Sequence, residues 1–136
     1  MASILKVDTI TGVATAGSIA VTGEGNSTTT NLQQGLAKVW INFDGDASDI
    51  AIRDSFNVSG NTDNGTGDYT ITFSNAMSNG NYSLAGVGEA GGGSSVMGLA
   101  VNNTDGLTTA SARIFTKTGS PADSNVVTST INGDLA

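Results

Sequence analysis

The chain has 136 residues, a length that fits one domain, with 38% hydrophobic and 5% aromatic residues. Its net charge of −7 comes from 12 acids against 5 bases (Lys6, Lys38, Arg53, Arg113 and Lys117), and it contains no cysteine and no histidine. That excludes disulfides, thiolate zinc sites, thiol nucleophiles and a histidine general base. With so few cations, binding to nucleic acid or to an anionic membrane surface is not expected.

Residues 1–35 hold no aromatic side chain. Two short β-prone pieces, 4–10 and 18–22, are separated by 12–17 and followed by a polar stretch, 23–31. Neither piece can bury itself alone, so the expectation is an extended arm that needs a surface to lie on. Its apolar residues Ile4, Leu5, Val7, Ile10, Ile19 and Val21 are the candidate docking contacts. The first eight residues lack a basic and then a continuously apolar region, so no signal peptide is expected and synthesis in a cytoplasm is. No apolar run approaches the ~20 residues of a membrane-crossing helix. The five Asn-x-Ser/Thr sequons, at Asn26, Asn57, Asn64, Asn81 and Asn102, then reflect composition alone.

Residues 36–136 read as an all-β domain. In 36–43, Val39, Ile41 and Phe43 alternate with Lys38, Trp40 and Asn42. "DGDASD" (44–49) turns the chain into a strand at 50–53. A short piece, 56–59, precedes the turn residues of "TDNGTGD" (62–68), and 69–73 is the clearest strand. A turn at 74–81 leads to strand 82–87, a Gly/Ser loop at 88–95 to strand 96–101, and "NNTDG" (102–106) to a long strand, 107–117. A loop at 119–125 precedes the last strand, 126–131. Seven or eight short strands with turn signals between them predict a single antiparallel β-sandwich, jelly-roll or immunoglobulin-like. A weak helical turn is expected near 32–37.

Each chemical motif has a blander reading beside it. "GVGEAG" (86–91) matches G-x-G-x-x-G, but a dinucleotide site needs a helix starting in the glycines, and a strand follows instead. A flexible hairpin loop is the expectation. Asp44, Asp46 and Asp49 resemble the start of a calcium loop, yet loop positions 6 and 12 would be Asp49 and Ser55 rather than Gly and Glu. Turn capping by Asp is expected there, with a surface calcium site at Asp44, Asp46 and Asp49, or at Asp63 and Asp68, as the alternative. Paired carboxylates for glycoside hydrolysis would come from Asp44, Asp46, Asp49 and Asp54, all on turns. No histidine is present to activate a serine or threonine. Trp40 is either a docking aromatic or a packed one.

"AKVWINFDG" (37–45), "IAIRDSFNVS" (50–59), "TDNGTGDYTITFSNAMSNGNYS" (62–83) and "STINGD" (129–134) together resemble a domain that recurs in virion surface structural and fibre-like proteins of tailed bacteriophages infecting marine bacteria or cyanobacteria. "ILKVDTITG" (4–12) is similar to the leader of such proteins. The resemblance covers most of the chain and implies a virion structural protein with no catalysis and no cofactor. It leaves head and tail locations open. The chain lacks a repeated shaft and starts at Met, which favours a capsid-decorating or head-fibre protein over a tail-fibre or receptor-binding component. Expected partners are further copies of the chain, as a homotrimer, and a phage capsid or tail protein, with a host-surface glycan or receptor for the tail alternative. The alternative of another class is a carbohydrate-active enzyme.

Overall fold

The computed structural model describes residues 4–12, 19–23, 28–90 and 95–136. They fall into two compact units, Met1–Leu36 and Ala37–Ala136.

In the first unit, β1 (Ala20–Thr22) pairs antiparallel with β2 (Thr29–Asn31), Val21 opposite Thr30. β2 falls within the polar stretch 23–31, of which 24–27 lie outside the described residues. Polar Thr and Asn side chains do not prevent a ladder made by backbone groups. A single turn, α1 (Leu32–Gly35), follows, and the Asn31 side chain caps it by accepting from the Gln34 N–H at 3.1 Å. Residues 4–12 form no regular element.

The second unit is built from β3 (Val39–Asp44), β4 (Ala51–Phe56), β5 (Val58–Gly65), β6 (Asp68–Phe73), β7 (Ser83–Ala90), β8 (Ser95–Val101), β9 (Ser111–Lys117) and β10 (Val126–Asn132). These form one antiparallel sheet in the order β4-β3-β10-β7-β8-β9-β6-β5, which curls until it is nearly closed into a barrel. The all-β antiparallel expectation holds, and the layers expected of a sandwich are the opposed sides of this one rolled sheet.

Alternation puts the core inside. Val39, Ile41 and Phe43 of β3, Tyr69, Ile71 and Phe73 of β6, Ala112 and Ile114 of β9, and Val127 and Ile131 of β10 are all buried. Their neighbours Trp40, Thr70, Arg113 and Thr130 face outward. The aromatics sit at the two ends. Phe43 meets Tyr69 edge-to-face at 5.1 Å, and Phe73 meets Tyr82 at 5.9 Å.

Each end is closed around a tyrosine hydroxyl. Tyr69 donates to the Gly45 carbonyl at 3.0 Å and to Asp123 Oδ1 at 3.3 Å. Asp123 Oδ1 also accepts from the Gly67 N–H, and Ser124 Oγ bonds to both backbone groups of Glu89. The 119–125 loop is thus stitched across the end of the barrel. At the other end Tyr82 donates to the Thr108 and Ser111 carbonyls. The C-terminal residues close that side, with Met77 bridged to Leu135.

Burial pushes both phenols up to about 12, in Tyr69 with help from the nearby negative charge of Asp123. The folded protein therefore favours the protonated phenols above the unfolded value of about 10. This stabilisation is complete below pH ~10 and is lost as pH rises from there through the folded value. Because these are the only 2 tyrosines, tyrosinate absorbance should stay flat through pH ~10 and rise together with unfolding. A normal titration near pH ~10 in the folded protein would contradict this packing.

Several element boundaries differ from the sequence reading. β5 runs on to Gly65, so "TDNGTGD" contributes only a tight turn at Thr66 and Gly67. The turn-prone residues before it occupy a bulged strand instead, in which Asp63 accepts from the Gly65 N–H at 2.8 Å. β4 extends to Phe56. The 107–117 strand begins only at Ser111, because the Thr108 hydroxyl accepts from the Ala110 and Ser111 N–H groups and makes a turn. β7 continues through Gly88 to Ala90, so the glycines read as loop lie partly in a strand, while 91–94 lie outside the described residues. Gly86 is required there by close approach: a Cβ on it would meet the Thr128 carbonyl and Leu99 of the neighbouring strands.

Candidate functional site

The expected docking residues occupy different settings. Ile4 and Leu5 are 79% and 80% exposed, and Val7, Ile10 and Val21 are also exposed, whereas Ile19 is partly buried. A run of exposed aliphatic side chains, interrupted by Lys6 and Asp8, is the kind of surface that association covers. On the barrel, Trp40 lies on the outer face of β3. It stands directly opposite Phe56 of β4 on one side and Thr130 of β10 on the other. Trp40 is 36% and Phe56 52% exposed, so the two form an aromatic cross-strand pair on the surface. Sequence parity placed Trp40 opposite the core face. It missed Phe56, because Asp54 and Ser55 have low strand propensity and β4 was read as ending at Arg53.

One residue joins β4 to β5, the two edges of the sheet. This is Asn57, with φ of 58°. Its carboxamide nitrogen donates to the Lys38 and Asn75 carbonyls, both at 3.1 Å, and its Oδ1 accepts from the Asn75 N–H at 2.7 Å. Lys38 leads into β3 and Asn75 follows β6, so Asn57 ties together the chain on both sides of the seam. Away from this corner β4 and β5 form no ladder. At the far end of this seam, between the turn that precedes β4 and strand β5, opens a cleft of about 360 Å³, lined by Ser48, Asp49, Ile50, Asn61, Thr62 and Asp63. Asn61 lies opposite the buried Ile71, so its side chain points inward, and among the described residues neither carboxamide atom has a hydrogen-bond partner although both are buried.

Several acidic residues hold backbone or arginine groups. Asp44 accepts from the Asp46 N–H and pairs with Arg53 at 2.8 Å. Asp68 receives a two-pronged contact from Arg113, Nε to Oδ1 at 2.9 Å and Nη2 to Oδ2 at 2.7 Å. Among the described residues no group of three or more acidic side chains, Asp44, Asp46 and Asp49 included, is placed to hold a metal ion. The hydrogen bonds from Arg113 hold the Asp68 carboxyl below the usual carboxylate range despite its burial, and the Arg113 charge and the Asn64 amide act the same way. Asp68 is therefore ionised at neutral pH. Its contribution to stability is present above the unfolded value of about 3.9 and is lost as pH falls through the lowered folded value. Asp68→Asn should accordingly flatten the acid limb of a stability–pH curve. An unchanged slope in urea titrations below pH ~4 would contradict the role given to this pair.

Comparison with protein-family models, with curated proteins and with solved structures found no match. Among the described residues no helix is long and apolar enough to cross a membrane. Each unit presents exposed apolar side chains: Ile4, Leu5, Val7 and Ile10 in the first, and Trp40 and Phe56 in the second, whose sheet also keeps an open seam.

Proposed function

We propose that the chain is a non-enzymatic structural protein of a bacteriophage virion, a capsid-decorating or head-fibre protein that docks through residues 1–35 and displays its β-barrel outward. The observation that carries this reading is the contrast between the two units. Residues 37–136 form a barrel with both ends tied down by buried hydrogen bonds, whereas Ile4, Leu5, Val7 and Ile10 are exposed. A nearly closed barrel with both ends stitched suits a particle surface, where shape and resistance to unfolding serve the role. The similarity of "AKVWINFDG" and "TDNGTGDYTITF" to phage surface proteins supplies the virion context. Further copies of the chain, as a homotrimer, and a capsid protein are the proposed partners.

A tail-fibre or receptor-binding component is the second reading. The 119–125 loop counts against it, because Asp123 and Ser124 are engaged in closing the barrel rather than offered to a receptor. Of the carboxylates that a carbohydrate-active enzyme would draw on, Asp44, Asp46, Asp49 and Asp54, Asp44 is held by Arg53. Deleting residues 1–30 should abolish incorporation into particles while leaving the barrel folded. Incorporation at the wild-type level would overturn the docking role, and new reducing ends released from host polysaccharide would overturn the non-enzymatic one.

A further inference from the structure

We infer that the open seam between β4 and β5 receives residues 4–10 of a second copy of the chain. The inference rests on the docking role proposed for the N-terminal arm and names what that arm binds. β4 pairs with β3 alone and β5 with β6 alone among the described residues, so each presents an unpaired edge to the seam. Such edges recruit extended peptide backbone. Bulges interrupt both strands, at Asn42/Phe43 opposite β4 and at both ends of β5. They confine an added strand to the short mouth beside residues 60–63.

Three features of that mouth fit this occupant. Asn61 lines it, and its inward-facing carboxamide keeps donor and acceptor both buried and, among the described residues, unpartnered. A carboxamide has the hydrogen-bonding groups of a peptide unit, so rotation of this side chain toward the mouth would let an extended segment satisfy both atoms at once. Ile50, packed against the core, gives an apolar floor for Leu5 or Val7. Asp49 and Asp63 line the mouth without a lysine or arginine among the lining residues, and the segment carries Lys6 between Leu5 and Val7. Residues 4–10 in turn bring four exposed apolar side chains and backbone groups that no strand uses. Exchange of arms between copies satisfies both surfaces and builds an oligomer from one repeated contact.

The absence of native cysteine makes a cross-linking test direct. A Val7→Cys chain is mixed with a Thr62→Cys chain and treated with a short bis-maleimide. A covalent heterodimer is expected, well above that from Val7→Cys mixed with Thr118→Cys. Equal yields from the two mixtures would overturn the inference. So would efficient linkage within one dilute chain carrying both cysteines, which would make the occupant the chain's own arm. Asn61→Leu adds a readout that a purely structural role would not give. It replaces an unpaired buried amide by an apolar group of similar shape, so it should raise the melting temperature of the dilute full chain while lowering heterodimer yield. Melting and yield falling together would contradict the role assigned to Asn61. If cross-linking fails while deletion of residues 1–30 still removes the chain from particles, the seam inference falls and the virion reading stands. If cross-linking succeeds and the chain is absent from particles, the reverse holds.

Discussion

Replacing Tyr69 by alanine is expected to lower unfolding stability by about 3–5 kcal/mol, the range for removing a buried aromatic. Tyr69 is fully buried, and two separate functions meet in it. The ring packs edge-to-face on Phe43 of β3, across the interior. The hydroxyl holds the Gly45 carbonyl and the Asp123 carboxylate, which belong to the turn after β3 and to the loop before β10. Alanine removes the ring contact and both bonds, and leaves a cavity that the surrounding strands cannot collapse to fill. Tyr69→Phe separates the two contributions. It keeps the ring and should cost about 1–3 kcal/mol, the penalty for leaving buried polar groups without their donor. Urea unfolding of the two variants measures both values. Equal loss in the two would mean that the ring contributes nothing. No loss in Tyr69→Phe would mean that the loop is not held by this hydroxyl. Small domains have total stabilities of about 5–15 kcal/mol, so Tyr69→Ala should leave a detectable unfolded fraction near physiological temperature.

The corner residue gives the second large effect. Asn57→Ala should destabilise by about 2–4 kcal/mol. Part of this, about 1 kcal/mol or somewhat more, is the cost of placing alanine in the left-handed region that asparagine tolerates. The remainder follows from the loss of the bonds to Lys38 and Asn75, at about 1 kcal/mol each. Asn57→Gly accepts the φ of 58° without strain but loses the same bonds, so it should fall between wild type and alanine. An order with glycine as damaging as alanine would assign the whole effect to hydrogen bonding. The corner controls the seam, so amide exchange in the Asn57→Ala variant should quicken first in β4 and β5, the strands with one paired edge each. Uniform acceleration across all eight strands would argue against a local latch.

The parts of the fold that were legible in the sequence are those where side-chain alternation coincides with burial. Val39, Ile41 and Phe43, and Tyr69, Ile71 and Phe73, announce both their strands and their inward faces. Less legible were segments where one residue type serves two structural purposes. Asp63, Asn64 and Gly65 have the composition of a turn yet occupy a bulged strand, because Asx-type bonds shape both. Gly88 reads as a loop residue but is a strand residue packed closely on its neighbours. Asp54 and Ser55 hide the end of β4 because an edge strand exposed along nearly its whole length does not need apolar residues there. The closure of the sheet was not legible at all. It depends on β4 and β5 being the two edges and on a single residue joining them, and strand order is not written in local patterning.

The site divides along the same line. Exposure of Ile4, Leu5, Val7 and Ile10 follows from an arm too short to bury its own side chains, and the outward position of Trp40 follows from strand parity. Phe56 as its neighbour requires the β3–β4 register. Asn61 carried no signal, being one polar residue in a polar stretch. Its inward direction comes from lying opposite Ile71, a pairing known only once β5 is aligned on β6.

The central proposal, that the chain is a structural part of a phage particle, is tested most directly by its copy number. Quantitative mass spectrometry of purified particles of a phage that carries this sequence, referenced to the major capsid protein, gives that number. A fixed ratio of the same order as the capsid protein is the result the proposal predicts, and it would place the barrel on the head lattice. A few copies per particle would contradict capsid decoration in favour of the tail. Absence from particles would contradict the virion role itself.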